Sequence, residues 1–307
     1  MMRKLLILLS LLLIITGCSN NDTNTNTGKT FIGGSDAIDF DFMEETPPAE
    51  VYDGGQQPFE VAVRLENKGE YDVAKEDLTV KLTGFYPADF NSPQIQKNPE
   101  DDLGKRFIDP DGEIQEGDIT FLNFDGFNFI GSLAGNNQYT IRADVCYKYG
   151  TLAQADLCVL EDLTSREEEV CEVDESKPVA SSSAPVQVEN FEQEVAGNRK
   201  IKFSFDVVQR TSGLVSKLGS SCSSELGEED KVWVEITTGL AGLKCSGIEE
   251  GTDTTGETTL YAGKRKIICT QDVEGVSGDF EKKVNIVLTY DYKEHKERTI
   301  LVKHTTE

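Results

Sequence analysis

Histidine is nearly missing from this chain: His295 and His304, both close to the C-terminus, are the only two in 307 residues. A histidine-dependent triad would have to be assembled from that one stretch, and neither residue stands in an H-E-x-x-H motif. Gly-x-Ser-x-Gly elbows, Gly-x-Gly-x-x-Gly loops and Walker A loops are also absent. The chain is therefore expected to be non-enzymatic, with no cofactor. Basic residues are scarce as well. Thirty Lys and Arg face 55 Asp and Glu, giving a formal charge of -25, and such a surface repels nucleic acid and other polyanions. The 55 acids are so many that their proximity in sequence does not single out a catalytic carboxylate pair. C-x-x-C is missing, and the spacings of 12, 13, 51, 23 and 24 between the last six cysteines match no zinc pattern.

One long apolar run is present, Leu5 to Ile15, 11 residues interrupted only by Ser10. A helix needs about 20 apolar residues to cross a bilayer, so this run is short for a permanent span. Behind Arg3 and Lys4 it fits a secretory signal peptide over residues 1–17. Ile15, Thr16, Gly17 and Cys18 resemble the prokaryotic lipobox. The resemblance implies that Cys18 takes a lipid and becomes the mature N-terminus. Loss of residues 1–17 removes two bases and no acid, moving the charge from -25 to -27. The Asn- and Thr-rich stretch that follows has few large apolar groups to offset chain entropy, so residues 18–34 are expected to be a lipidated, flexible tether. Asn21, Asp22 and Thr23 form an N-glycosylation sequon within it.

Past the tether the pattern is one of period two. Ile38, Phe40 and Phe42 alternate with acids, as do Phe59, Val61, Val63 and Leu65 with mostly polar residues, and the pattern returns at Leu78, Val80 and Leu82. Further strands are expected at 119–124, 139–147 and 155–160. A Pro-, Ala- and Ser-rich stretch at 177–186 interrupts the series. Alternation resumes at 201–207, 232–236, 264–270 and 284–292, and ends at Ile300 and Val302. Such alternation buries one face of an antiparallel strand and wets the other. The expected fold is all-β: two consecutive immunoglobulin-like antiparallel β-sandwiches, 35–176 and 187–307, joined by a linker at 177–186.

"PFEVAVRLENKGEYDV" at 58–73 and "NRKIKFSFDVVQRTSG" at 198–213 resemble strand-turn segments of CARDB-like and other immunoglobulin-like modules of prokaryotic cell surfaces. "VCYKYGTLAQADLC", with the Val-Cys at 170–171, is similar to segments of archaeal surface proteins. The resemblance implies a surface role, adhesive or spacing, and carries over no catalytic residue.

Cys146, Cys158, Cys171, Cys222, Cys245 and Cys269 form an even set in a chain expected to be exported, which reads as three disulfides among 15 possible pairings. Three lie on each side of the 177–186 stretch, so complete intramolecular pairing requires an odd number of bridges across it. The favoured arrangement is Cys158 with Cys171, Cys245 with Cys269, and Cys146 with Cys222 across the boundary. Asp109, Asp111, Glu113, Glu116 and Asp118 could offer oxygens to Ca²⁺. Asp-Pro-Asp-Gly at 109–112 is equally an ordinary turn, and the stretch lacks EF-hand spacing. Trp233 alternates with Val232 and Val234 and either packs against a loop or anchors a partner.

The function expected is that of a membrane-anchored cell-surface lipoprotein with an adhesive, binding or spacer role towards a protein or surface polymer. The alternatives are a subunit of a surface filament or envelope assembly, and a ligand- or Ca²⁺-binding lipoprotein.

Overall fold

The computed structural model describes residues 29–92, 94–163, 170–197 and 199–305. The signal-peptide segment, Cys18 and the sequon lie outside them. The described chain is almost entirely extended, with one 3-10 turn at Lys75–Asp77. Its strands are β1 (Ile38–Phe42), β2 (Glu50–Tyr52), β3 (Phe59–Asn67), β4 (Leu78–Thr83), β5 (Gln96–Lys97), β6 (Phe107–Ile108), β7 (Ile114–Gln115), β8 (Ile119–Phe127), β9 (Asn137–Val159) and β10 (Glu175–Lys177). They continue with β11 (Val179–Ser181), β12 (Val186–Val195), β13 (Lys200–Gln209), β14 (Leu214–Ser216), β15 (Lys231–Thr237), β16 (Lys244–Ser246), β17 (Glu250–Gly251), β18 (Thr255–Thr259), β19 (Lys264–Asp272) and β20 (Phe280–Lys303).

Two of these strands set the architecture. β9 has 23 residues and β20 has 24, and they pair antiparallel along the whole of β9. At about 3.3 Å per residue the pair is roughly 75 Å long. Around it grows a ten-stranded sheet that also takes in β4, β5 and β2 towards one end and β15, β18, β17, β14 and β11 elsewhere. A three-stranded sheet, β1-β3-β8, and a five-stranded sheet, β10-β12-β13-β19-β16, provide the other layers of a sandwich-like fold. Apart from β2 with β20, the strand pairs are antiparallel.

Alternation accounts for the core. Along β9 the odd-numbered residues from Ile141 to Val159 are buried, and along β20 the even-numbered Val284 to Tyr292, then Ile300 and Val302. One contiguous apolar cluster includes residues from Ala37 to Val302. Residues 177–186, expected as a linker, instead contribute the last residue of β10, all of β11 and the first residue of β12, with Ser182, Ser183, Ala184 and Val186 buried. The large sheet draws strands from both sides of that stretch, so the halves share a sheet and a core. The physical reason is the length of β9 and β20, each of which passes through both halves of the core.

The middle of this pair carries four tyrosines in two successive cross-strand pairs, Tyr147 opposite Tyr292 and Tyr149 opposite Tyr290. All four are fully buried, with ring centroids 5.7 Å apart for Tyr147 and Tyr292. Three hydroxyls bind backbone or side chain at the ends of β3 and β12 and in the loop after β13, all strands of the smaller sheets. The Tyr290 hydroxyl accepts from the Val186 amide at 3.1 Å, that of Tyr149 donates to Asn67 Oδ1 at 3.3 Å, and that of Tyr292 accepts from the Gly213 amide at 3.0 Å. Burial raises all four pKa values, that of Tyr292 to about 12, so these phenols stay neutral. The rings also explain two glycines. A Cβ at Gly150 would sit 2.4 Å from the Tyr71 ring, and one at Gly213 would sit 2.3 Å from the Tyr292 ring.

Buried carboxylates fix the two ends of the described chain. Glu70 accepts from the amides of Ile32 at 2.9 Å, Gly33 at 2.9 Å and Ser183 at 2.8 Å, so the chain is already packed by Ile32, within the stretch expected to be tether. Asp53, 2% exposed, receives His304 Nδ1 at 2.8 Å, the Leu133 amide at 2.8 Å and the Thr305 amide at 2.9 Å. These bonds, that to His304 foremost, hold the Asp53 carboxyl far below the ordinary carboxylate range. Because the folded-state pKa is depressed, the stabilisation from Asp53 is complete above the unfolded value and is lost as pH falls through about 4 and below. In thermal melts between neutral pH and about pH 3, Asp53→Asn is expected to lose less stability on acidification than the parent chain. An equal loss in both would show that Asp53 does not contribute to the acid sensitivity.

Candidate functional site

Beside the disulfide of Cys146 with Cys222 the outward face of the large sheet carries two grooves of about 440 and 290 Å³, which share Thr79, Cys146 and Ser221. Cross-strand register lays out the floor. In one row stand Thr79, Cys146 and Lys293; in the next, Lys81, Asp144 and His295; in the third, Thr83, Arg142 and Glu297. Because side chains alternate along a strand, these nine share the face opposite the tyrosines.

One wall of the larger groove is the loop between β14 and β15. Buried Asp291 holds it through the Gly219 amide at 3.1 Å and the Cys222 amide at 3.4 Å. Ser221 and Cys222 adopt left-handed backbone angles, φ 55° and 58°, an uncommon conformation that the Asp291 contacts and the disulfide together secure. Gln96 of β5 lines the opposite side.

The electrostatics of the larger groove run against those of the whole chain. Lys81, Arg142 and Lys293 line it with a single carboxylate, Asp144. Arg142 is already committed, since its guanidinium donates to Asp144 Oδ1 from Nε at 2.9 Å, a bond that pushes its pKa further up. Thr83 takes the other Asp144 oxygen at 2.6 Å. Lys293 donates to the Cys222 carbonyl at 3.4 Å, and neither it nor Lys81 has a carboxylate within ion-pair distance among the described residues. The smaller groove is acidic, with Glu76, Asp77 and Asp291 against Lys148.

The six cysteines among the described residues form Cys146–Cys222, Cys158–Cys171 and Cys245–Cys269, the pairs favoured above. Of the five acids considered for Ca²⁺, Asp109, Glu116 and Asp118 have carboxylates engaged within the chain, whereas Asp111 and Glu113 contribute backbone amides. Asp109 Oδ1 accepts from the amides of Asp111 and Glu113, both at 3.0 Å, and Gln115 donates to Oδ2 at 2.7 Å, forming the turn between β6 and β7. These bonds lower the Asp109 pKa. Glu116 pairs with Arg106 at 2.8 Å, and Asp118 accepts from the Gly104 amide at 2.8 Å. Among the described residues no three His, Cys, Asp or Glu gather as metal ligands would. His304 is engaged by Asp53, whereas His295 lies exposed on the grooved face. Trp233 is half-buried on β15, between Glu257 and Thr289 of the adjacent strands.

Lys81, Arg142 and Lys293 escaped sequence reasoning because they belong to no motif and meet only through strand register: Arg142 lies 61 residues after Lys81, and Lys293 a further 151 residues on, in the other half of the sequence. Their one available marker was position. Each occupies a polar place in an alternating strand, Arg142 on β9 four residues before Cys146 and Lys293 on β20 directly opposite Cys146. No helix among the described residues is long and apolar enough to cross a membrane. Compared with known protein families and with curated proteins, the chain matches none.

Proposed function

We propose that this chain is an exported, lipid-anchored cell-surface protein that presents a rigid, non-catalytic β-sandwich body to a protein or polymer outside the membrane. In this reading the two ends of the body are immunoglobulin-like lobes that share β9 and β20. The observation that supports it best is the unbroken pairing along the 23 residues of β9, which makes one stiff element of both halves. Three disulfides suit an oxidising compartment.

The anchor would be Cys18, followed by a polar stretch to the point where Glu70 captures Ile32 and Gly33 at the middle of the body. Ile32 lies fourteen residues after Cys18, a stretch that spans at most about 50 Å when fully extended, so the body would work close to the membrane. Mass spectrometry of the protein recovered from membranes is expected to show residues 1–17 removed and Cys18 carrying acyl or isoprenoid mass. In detergent phase separation Cys18→Ala is expected to move the protein from the detergent to the aqueous phase. An unmodified Cys18 behind a retained N-terminus would end this reading.

A further inference from the structure

The larger groove carries an inference beyond anchoring and presentation. In a chain with nearly two acids for every base, most described lysines meet a carboxylate, yet Lys81 and Lys293 do not, and both line the same concavity. Their strands flank β9 and the two residues are offset by two positions along it, so their backbones stand about 12 Å apart, a separation that two long side chains can close over a small group. With Arg142 neutralised by Asp144, Lys81 and Lys293 leave the groove two positive charges, which can hold one carboxylate between them. Around it stand the hydrogen-bonding groups of Thr79, Thr83 and Gln96, and the volume of about 440 Å³ lies within the range of small-molecule sites.

This combination selects a particular chemistry. A polyanion meets a formal charge of -25 over the rest of the surface, so a run of phosphates or sulfates is disfavoured. A singly charged molecule rich in hydroxyls suffers far less from that field and uses the neutral polar groups. We infer that the groove binds an acidic sugar of the uronate class, its carboxylate between Lys81 and Lys293 and its hydroxyls towards Thr79, Thr83 and Gln96. The disulfide and the Asp291-held loop keep the wall in place, so the site is formed before the ligand arrives.

The test uses the full chain purified in non-ionic detergent, titrated with methyl glucuronide and, in parallel, with methyl glucoside, which lacks the carboxylate. Saturable binding of the glucuronide is expected in the millimolar range, with Lys81→Ala and Lys293→Ala each weakening it about tenfold, as loss of a charged hydrogen bond implies. Lys244→Ala, which removes an exposed lysine on β16, should leave it unchanged. Melting curves of the three variants establish that they remain folded. The assignment fails if the glucoside binds as well as the glucuronide, if inorganic phosphate competes as effectively as the sugar acid, or if neither lysine matters. It also fails if no saturation is seen up to about 10 mM. None of these outcomes depends on the lipid at Cys18, so failure of the groove and failure of the anchor are read separately.

Discussion

Replacing Cys146 and Cys222 together by alanine is expected to cost about 4 kcal/mol, more than removal of either other disulfide. The ranking follows from chain entropy. Cys146 and Cys222 are 76 residues apart, against 13 for Cys158 and Cys171 and 24 for Cys245 and Cys269, and a longer closed loop takes more freedom from the unfolded chain. A local consequence adds to the global one. Cys222 stands within the loop that walls the larger groove, and without the bridge that loop is left to its contacts with Asp291 and to the Lys293 bond with the Cys222 carbonyl. Urea denaturation of the two double variants, Cys146→Ala with Cys222→Ala and Cys158→Ala with Cys171→Ala, checks the order. A greater loss from the shorter loop would show that native contacts, rather than unfolded-state entropy, dominate.

The second large effect has opposite signs at neighbouring rings. The Tyr147 hydroxyl is buried and has no hydrogen-bond partner among the described residues, whereas the Tyr290 hydroxyl, also fully buried, accepts the Val186 amide. An unsatisfied buried hydroxyl costs about 1–3 kcal/mol. Tyr147→Phe removes that hydroxyl and keeps the ring, so it is expected to stabilise the fold by about 1 kcal/mol or more. Tyr290→Phe leaves the Val186 amide without its acceptor and is expected to destabilise by about 1–3 kcal/mol. The ring contacts survive in both, so the difference isolates the hydroxyls. Chemical denaturation of the two single variants supplies the check. Destabilisation by Tyr147→Phe would mean that its hydroxyl is satisfied in solution.

The tyrosines also show where sequence reasoning stopped. Tyr147 belongs to the legible alternation from Tyr139 onward, but the next inward positions on β9 are Tyr149, Thr151, Ala153 and Ala155. Around Gly150 the apolar contrast fades, and one strand of 23 residues reads as two short ones. β20 breaks up similarly. Its even-numbered series contains Glu294, Lys296 and Arg298, polar residues where the core pattern calls for apolar ones. β1 explains them: Lys296 lies 3.6 Å from Asp41 and over the Phe40 ring, and Arg298 donates to the Met43 carbonyl at 2.6 Å beside the Phe42 ring. Charges tolerated at that sandwich margin cannot be told from the end of a strand until β1 is in place. Once both strands are read as fragments, the Pro- and Ser-rich stretch at 177–186 looks like a division, although its residues are strand and core.

By itself the sequence determined what depends on neighbours along the chain: extended structure, set by period-two burial, an acidic exterior, and the even set of cysteines. The tertiary structure alone decided what depends on register between distant strands. It set the continuity of β9 with β20, the edge-to-face packing of four tyrosines at their centre, and the meeting of Lys81, Arg142 and Lys293 beside Cys146. The reason is that alternation reports which face of a strand is buried but not which strand lies alongside, and a groove is made by the second of these.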